Sequence, residues 1–291
     1  FIEMAKKATN PTKSLKIPQI IIISAKIYAF ISTKLVTKFA ARLFTTPIKH
    51  KVPKREFEMD RKSIQQIIYI PAINKSVVTY EYGKSDRKIL LVHGWSGRGT
   101  QLFKIADELL QNGYSTISFD APAHGKSQGK TTIMSEFIAA ILEIEKQFGP
   151  FEIAIGHSLG GMSVLNAIKD GLKVNKAVII GSGDIVQDIL DEFIFKLGLK
   201  KGIGDNLRDL FEEKYQVKMD DFSAYRAAQK IKIPILVIHD NDDPEVPVKS
   251  GIHIYENLEK GILYLTDGLG HRKILGNQNV IKKTLEFIKI N

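Results

Sequence analysis

The residues best suited to chemistry lie in the run Gly156-His157-Ser158-Leu159-Gly160-Gly161. A serine between two glycines becomes a nucleophile when a strand delivers it to a tight turn and a helix leaves it, so that Oγ projects from the sheet edge. Both flanks read that way, 151–155 as a strand and 159–168 as a helix. The glycines have a steric role, since a side chain two positions before or after the serine would collide with the neighbouring strand or helix. For these residues alone the plainer alternative is a Gly-rich connection whose serine caps a helix. A serine hydroxyl is a poor nucleophile until a base takes its proton, and that base needs an acid to hold its tautomer. Strand-like 234–238 ends in His239-Asp240-Asn241-Asp242-Asp243-Pro244-Glu245-Val246-Pro247, which places three aspartates at one strand end. Strand-like 262–265 then leads through Thr266 into Asp267-Gly268-Leu269-Gly270-His271, a loop-borne histidine after the last strand and the candidate base.

Acyl chemistry also needs donors for a developing oxyanion. The Leu159 N–H, next to the serine at a helix N-terminus, is one candidate. The second follows strand-like 88–92, in His93-Gly94-Trp95-Ser96-Gly97. There Gly94 permits a close backbone approach and the Trp95 N–H can point at the same spot, while His93 is expected to hold the loop by hydrogen bonds. The indole of Trp95, the sole tryptophan, could wall a pocket or fill core.

These residues need a scaffold that gathers strand ends. Strand-like runs at 64–70, 77–82, 88–92, 115–119, 151–155, 177–180, 234–238 and 262–265 alternate, after the first two, with helical stretches at 101–111, 134–148, 159–168, 248–258 and 279–288. That rhythm predicts an α/β protein with a mostly parallel eight-stranded sheet covered by helices on both faces. Between the sixth and seventh strands the interval 184–230 carries more helix than a single crossover requires. It reads as a small helical lid over the sheet's C-terminal edge, where open α/β folds bind ligands. Its aromatics Phe193, Phe195, Phe211, Tyr215, Phe222 and Tyr225 are expected mostly to form the lid's own core.

The 291 residues are 44% apolar and 25% charged, enough for a sizeable core. There is no cysteine, which excludes disulfides, thiolate metal sites and a cysteine nucleophile, and fits a cytoplasmic protein. None of the seven histidines forms an H-E-x-x-H pair, so neither metal nor cofactor is expected. The net charge of +10 belongs to residues 1–62, which hold 14 Lys/Arg against 4 Asp/Glu, whereas 63–291 hold 28 of each sign. A balanced body gives no support to a nucleic-acid groove across it. The basic arm carries one helical pattern from about Ile20 to Pro47, with Lys34, Lys38 and Arg42 on one face and Ile27, Ile31, Leu35, Phe39 and Leu43 forming an apolar stripe. Lys26, Lys34 and Lys38 interrupt every window long enough to span a bilayer, and no signal-peptide cleavage pattern is evident. The arm is expected to dock on its own domain or a second subunit, or to contact a membrane surface peripherally. Residues 49–62 read as a charged linker.

His93-Gly94-Trp95, Asp120-Ala121-Pro122-Ala123-His124-Gly125-Lys126-Ser127, the Ser158 run, 239–247 and Gly270-His271 together resemble the ordered landmarks of the α/β-hydrolase superfamily. The resemblance covers about 63–291, leaving 1–62 as a separate arm. It implies the α/β-hydrolase fold and a triad of Ser158, His271 and Asp243, whose setting in Asp-Pro-Glu-Val-Pro resembles the family's acid loop. Trp95 and Leu159 are then the oxyanion donors. A serine at the elbow, where relatives of this fold also carry aspartate or cysteine, implies cleavage of carboxylic esters or thioesters of a small-molecule acyl substrate. Acyltransferases, carbon–carbon bond hydrolases and non-catalytic binding proteins of the fold share the pattern. One departure is Ala123, where family members usually have glycine.

Overall fold

The computed structural model describes residues 17–290. Its eight strands, β1 (Ile64–Ile70), β2 (Lys75–Tyr82), β3 (Lys88–Val92), β4 (Ser115–Asp120), β5 (Ile153–His157), β6 (Lys176–Ile180), β7 (Ile235–Asp240) and β8 (Gly261–Thr266), form one sheet in the order β1-β2-β4-β3-β5-β6-β7-β8. β2 pairs antiparallel with β1 and β4, and every other pairing is parallel. The helices are α1 (Gln19–Ile31), α2 (Thr33–Phe44), α3 (Phe57–Lys62), α4 (Phe103–Gln111), α5 (Met134–Phe148), α6 (Leu159–Lys169), α7 (Val186–Lys196), α8 (Gly202–Tyr215), α9 (Ala224–Ala228), α10 (Val248–Glu256), α11 (Gly270–Lys273) and α12 (Gln278–Lys289).

The central strands are continuous apolar runs because both of their faces are covered. Along β3, Leu90 and Val92 face a layer that includes α5 and α6, while Ile89 and Leu91 face one that includes α4 and α12. Crossing helices must leave the C-terminal ends of the parallel strands free to turn. Ser158, Asp243 and His271 each follow such an end, of β5, β7 and β8. The expected eight-stranded sheet is therefore present, with strand boundaries moved by at most two residues.

The 184–230 interval is helical, as α7, α8 and α9 between β6 and β7. Leu190, Ile194, Leu207 and Phe211 from it share one core with the sheet, so the insertion is fastened to the body along its inner side. Phe195 departs from the expected aromatic core, for it is 75% exposed.

The arm differs from its sequence reading in three ways. The single helical pattern is broken at Ser32, whose backbone is extended (φ −164°, ψ 131°). Its N–H donates to the Tyr28 carbonyl and its own carbonyl accepts from Leu35 and Val36, so one residue closes α1 and opens α2. The break shifts the helical phase, and the buried positions become Ala25, Val36, Thr37 and Ala40. Ile27, Ile31 and Leu35, expected to face inward, are exposed. The charged linker, finally, contains α3 and a short 3₁₀ turn at Lys54–Glu56, with Met59 buried against the sheet.

α2 rests on the helical insertion, where the Phe44 ring meets Phe193 (5.2 Å, near-perpendicular) and Phe211 (5.9 Å). Truncating Phe44 to alanine removes a half-buried aromatic from that contact and is expected to cost about 2 kcal/mol, below the range for a fully buried ring. Urea unfolding of Phe44→Ala measures it; an unchanged midpoint would show that the Phe44 contact adds nothing to the fold.

Candidate active site

β5 delivers Ser158 into a backbone state that belongs neither to strand nor to helix (φ 55°, ψ −122°). Its N–H donates to the Ile180 carbonyl (2.9 Å), and its carbonyl accepts from Gly161 (2.9 Å) as α6 begins. The turn is so tight that a Cβ on Gly156 would collide with the Gly160 carbonyl, and one on Gly160 with the carbonyls of Val92 and His93. This is the steric role expected of the two glycines. A Cβ on Gly94 would stand 2.9 Å from the Ser158 Cβ, so the loop after β3 lies directly against the serine.

That loop is held from both sides by uncharged histidines. The Gly94 carbonyl accepts from His93 Nδ1–H (2.7 Å) and from the Gly97 N–H (3.0 Å), while the Ala121 N–H donates to His93 Nε2 (3.0 Å). His124 repeats the arrangement, donating from Nδ1 to the Pro122 carbonyl and accepting the Ser96 N–H at Nε2, both at 3.0 Å. In each ring one nitrogen must donate and the other accept, which only the neutral imidazole can do. Burial pushes His93 down to about 4 and His124 to about 3, the latter with added repulsion from His93. In a trans peptide the carbonyl and N–H point in opposite directions. With the Gly94 carbonyl pinned by His93, the Trp95 N–H is turned the other way, and among the described residues neither it nor the Leu159 N–H has a partner.

The acid and base loops meet beside the same elbow. His271 Nδ1 lies 2.7 Å from Asp243 Oδ2; an ionised carboxylate only accepts, so Nδ1 carries the proton and Nε2 is left as an acceptor. Asp243 Oδ1 accepts from the N–H groups of Glu245 (2.8 Å) and Val246 (2.9 Å). Burial would raise this carboxyl, but the hydrogen bond and charge of His271 and those two amides hold it below the usual carboxylate range. Gly181, the residue after Ile180, makes room here, since a Cβ would sit 3.3 Å from His271 Nδ1. His157 closes the other side, its Nε2–H donating to the His271 carbonyl (2.9 Å) with ring centroids 4.6 Å apart. Burial and the nearby His271 push His157 down to about 3. Ser158 Oγ itself makes no hydrogen bond among the described residues.

Ser158, His271, Asp243, Trp95 and Leu159, all singled out from the sequence, are thus brought to one sheet edge. Several supporting residues take roles that the sequence did not assign. Asp240, which reads as a turn former, is buried and accepts from the Thr266 hydroxyl and from the N–H groups of Leu269 and Gly270, fixing the loop just before His271. Asp120 is a second hub, accepting from the N–H groups of Gly99 and Lys126 and from the Tyr80 hydroxyl. Glu56, in the supposed linker, is buried in a two-pronged ion pair with Arg98 (2.6 and 2.7 Å) and also accepts from Thr100 (2.7 Å). Nothing in a Lys/Arg-rich stretch marks Glu56 as the partner of a loop 42 residues on. Ala123, at the position where glycine is usual, adopts φ 65°, a left-handed backbone that costs an alanine roughly 1 kcal/mol.

The alpha/beta hydrolase family model matches residues 89–271, from β3 to the site histidine. With the sheet order and the elbow, this defines the class: the chain belongs to the alpha/beta hydrolase family. No curated protein matches the sequence significantly. Among solved structures it is similar to an esterase from Exiguobacterium antarcticum (17% identity, 78% of this chain and 100% of that one, TM-score 0.63). It is also similar to an esterase from Pyrococcus furiosus (20%, 84% and 98%, 0.64) and to a bromoperoxidase from Bacillus anthracis (18%, 77% and 99%, 0.60). At these identities the likeness is one of fold.

Two outcomes test this construction. Glu56→Met leaves the Arg98 charge buried and unpaired, which costs about 3 kcal/mol, whereas the double variant with Arg98→Met regains most of that loss. Equal stabilities of the single and double variants in urea unfolding would contradict the buried pair. The neutral histidines set an acid limit. Below about pH 6.5 the unfolded chain protonates His93, His124 and His157 while the folded protein does so only near 3 to 4. The unfolded state then binds more protons, so stability is full above pH 6.5 and falls as pH drops towards 4. Asp120 and Asp184, pushed up by burial, act in the opposite sense at the acid end, so the comparison is cleanest between about pH 7.5 and 5.5. An equal urea midpoint at the two values would count against neutral, buried rings.

Proposed function

We propose that this protein is a serine hydrolase that cleaves carboxylic esters or thioesters through an acyl-enzyme. The observation that carries the reading is the convergence at one elbow of Ser158, the His271–Asp243 pair at 2.7 Å and two unpartnered amides. His271 Nε2 takes the Ser158 proton as Oγ attacks the acyl carbon, and the carbonyl π pair becomes the oxyanion facing the Trp95 and Leu159 N–H groups. When the tetrahedral adduct collapses, the leaving alcohol or thiol departs with the proton from His271. Water then repeats the sequence on the Ser158 ester and releases the acid. Asp243 keeps the Nδ1–H tautomer throughout and balances the imidazolium, which its lowered pKa allows at neutral pH. Each oxyanion donor in such sites contributes about 3–4 kcal/mol to the barrier reduction.

Positioning residues supply the preorganisation. His93 and His124 aim the Trp95 peptide, and Asp240 sets the loop that carries His271. α7, α8 and α9 act in this reading as a lid, and Trp95, 36% exposed with its indole edge-on to His124 (5.3 Å), as a wall of the site mouth. The esterase names among the structural relatives agree with this chemistry.

A fluorophosphonate probe should label the protein stoichiometrically and not label Ser158→Ala, and p-nitrophenyl esters of graded chain length should be hydrolysed with a preferred length. Asp243→Asn should lower kcat by about 10⁴-fold. Labelling that persists in Ser158→Ala would remove the assignment.

A further inference from the structure

α1 is apolar on two sides, and its own domain uses only one. Ala25 is fully buried and Ile21, Ile22 and Tyr28 are partly so. On the opposite side Ile20 (73% exposed), Ile23 (55%), Ile27 (54%), Phe30 (94%) and Ile31 (63%) form a second stripe at positions i, i+3, i+7, i+10 and i+11. Among the described residues nothing covers it. The helical insertion packs beside the inward side of α1, for a Cβ on Gly198 would meet Lys26 and Ile22. A contiguous exposed apolar stripe with a polar surround marks an interaction surface.

The charge around the stripe selects the occupant. From Met4 to Arg55 the chain has 12 Lys/Arg and not one Asp or Glu, and Lys26, Lys34 and Lys38 are exposed on α1 and α2. A second copy seated on this face by two-fold symmetry would bring two such arms together and repel. A nucleic acid would use the lysines but gain nothing from a stripe of isoleucines. An anionic lipid surface uses both, taking the apolar side chains among its acyl chains and the ammonium groups at its phosphates. α1 spans about 20 Å at 1.5 Å per residue, and no helix among the described residues is long and apolar enough to cross a membrane. The geometry of a short helix with a wide apolar face is that of one lying in the interface plane.

We infer that α1 docks this protein peripherally on anionic membranes, through the stripe from Ile20 to Ile31 and the lysines that flank it. The inference does not rest on the hydrolase reading, because its readout is binding alone. The full chain is sedimented with vesicles of phosphatidylcholine containing about 30% phosphatidylserine and with pure phosphatidylcholine, at about 0.05 and 0.5 M salt. Binding to the anionic vesicles is expected to exceed that to the neutral ones by about tenfold or more, and to weaken in the higher salt. The double variant Ile27→Glu/Phe30→Glu, both at exposed positions and so compatible with the fold, should lose at least about tenfold in affinity with an unchanged urea midpoint.

Two results would overturn the inference. In one, the double variant sediments like the parent while deletion of residues 1–16 abolishes binding, which would assign the contact to that segment. In the other, the parent ignores both vesicle types and light scattering shows a dimer that the double variant converts to monomer, which would assign the stripe to a second copy.

Discussion

The structure turns on a backbone that cannot relax. Ser158 holds φ 55° and ψ −122°, a state that costs a non-glycine residue roughly 1–3 kcal/mol and persists only where its surroundings over-determine it. The constraint comes from three directions at once: the Ile180 carbonyl on its N–H, α6 starting from its carbonyl, and Gly94 pressed against its Cβ. Two come from the ends of other strands, β6 and β3, and the third from the helix that follows β5. The elbow therefore forms only when β3, β5 and β6 are in register, and any side chain at Gly156 or Gly160 would force them apart.

Strain recurs around it. Ser96 and Ala123 are also non-glycine residues with positive φ, and both border His124, which bonds the Ser96 N–H. The loops after β3 and β4 are thus locked to each other by neutral imidazoles in a dry environment. Burial keeps those rings uncharged, and the uncharged ring, having one donor and one acceptor, can bridge a carbonyl and an amide. His271 differs from these in having a carboxylate partner, Asp243, on Nδ1 and an Nε2 left over. One residue type therefore stands in two different settings, separated by what faces each nitrogen.

The arm is joined to this machinery instead of trailing from it. Glu56 grips Arg98 and Thr100 on either side of Gly99, whose N–H donates to Asp120, the Ile48 N–H donates to Ser96 Oγ, and α2 rests on the helical insertion. A chain of contacts runs from the basic helices to the Trp95 loop. The outward face of α1 shows that the same arm has a second side, which the fold leaves unsatisfied.

Much of this was legible in the residues. Continuous apolar runs identified the strands because burial on both faces leaves no alternation to confuse them, and glycines flanking a serine marked the elbow because only glycine fits there. Ser158, His271 and the Gly94-Trp95 turn were readable since each is punctuated locally by glycine and follows a strand end. Spacing alone left three aspartates open, and the resemblance of the Asp-Pro-Glu-Val-Pro setting pointed to Asp243; its contact with His271 exists only once β7 and β8 pair, and Asp240 proves to hold the neighbouring amides. Glu56 finding Arg98, the break at Ser32 that rotates the arm's stripe outward, and the neutrality of His93, His124 and His157 were likewise decided by tertiary structure. The sequence by itself determined the strand-and-helix order and the residues that steric necessity singles out. Only the fold decided which polar groups meet and which are dry, because pairing and burial are properties of chain segments distant in sequence.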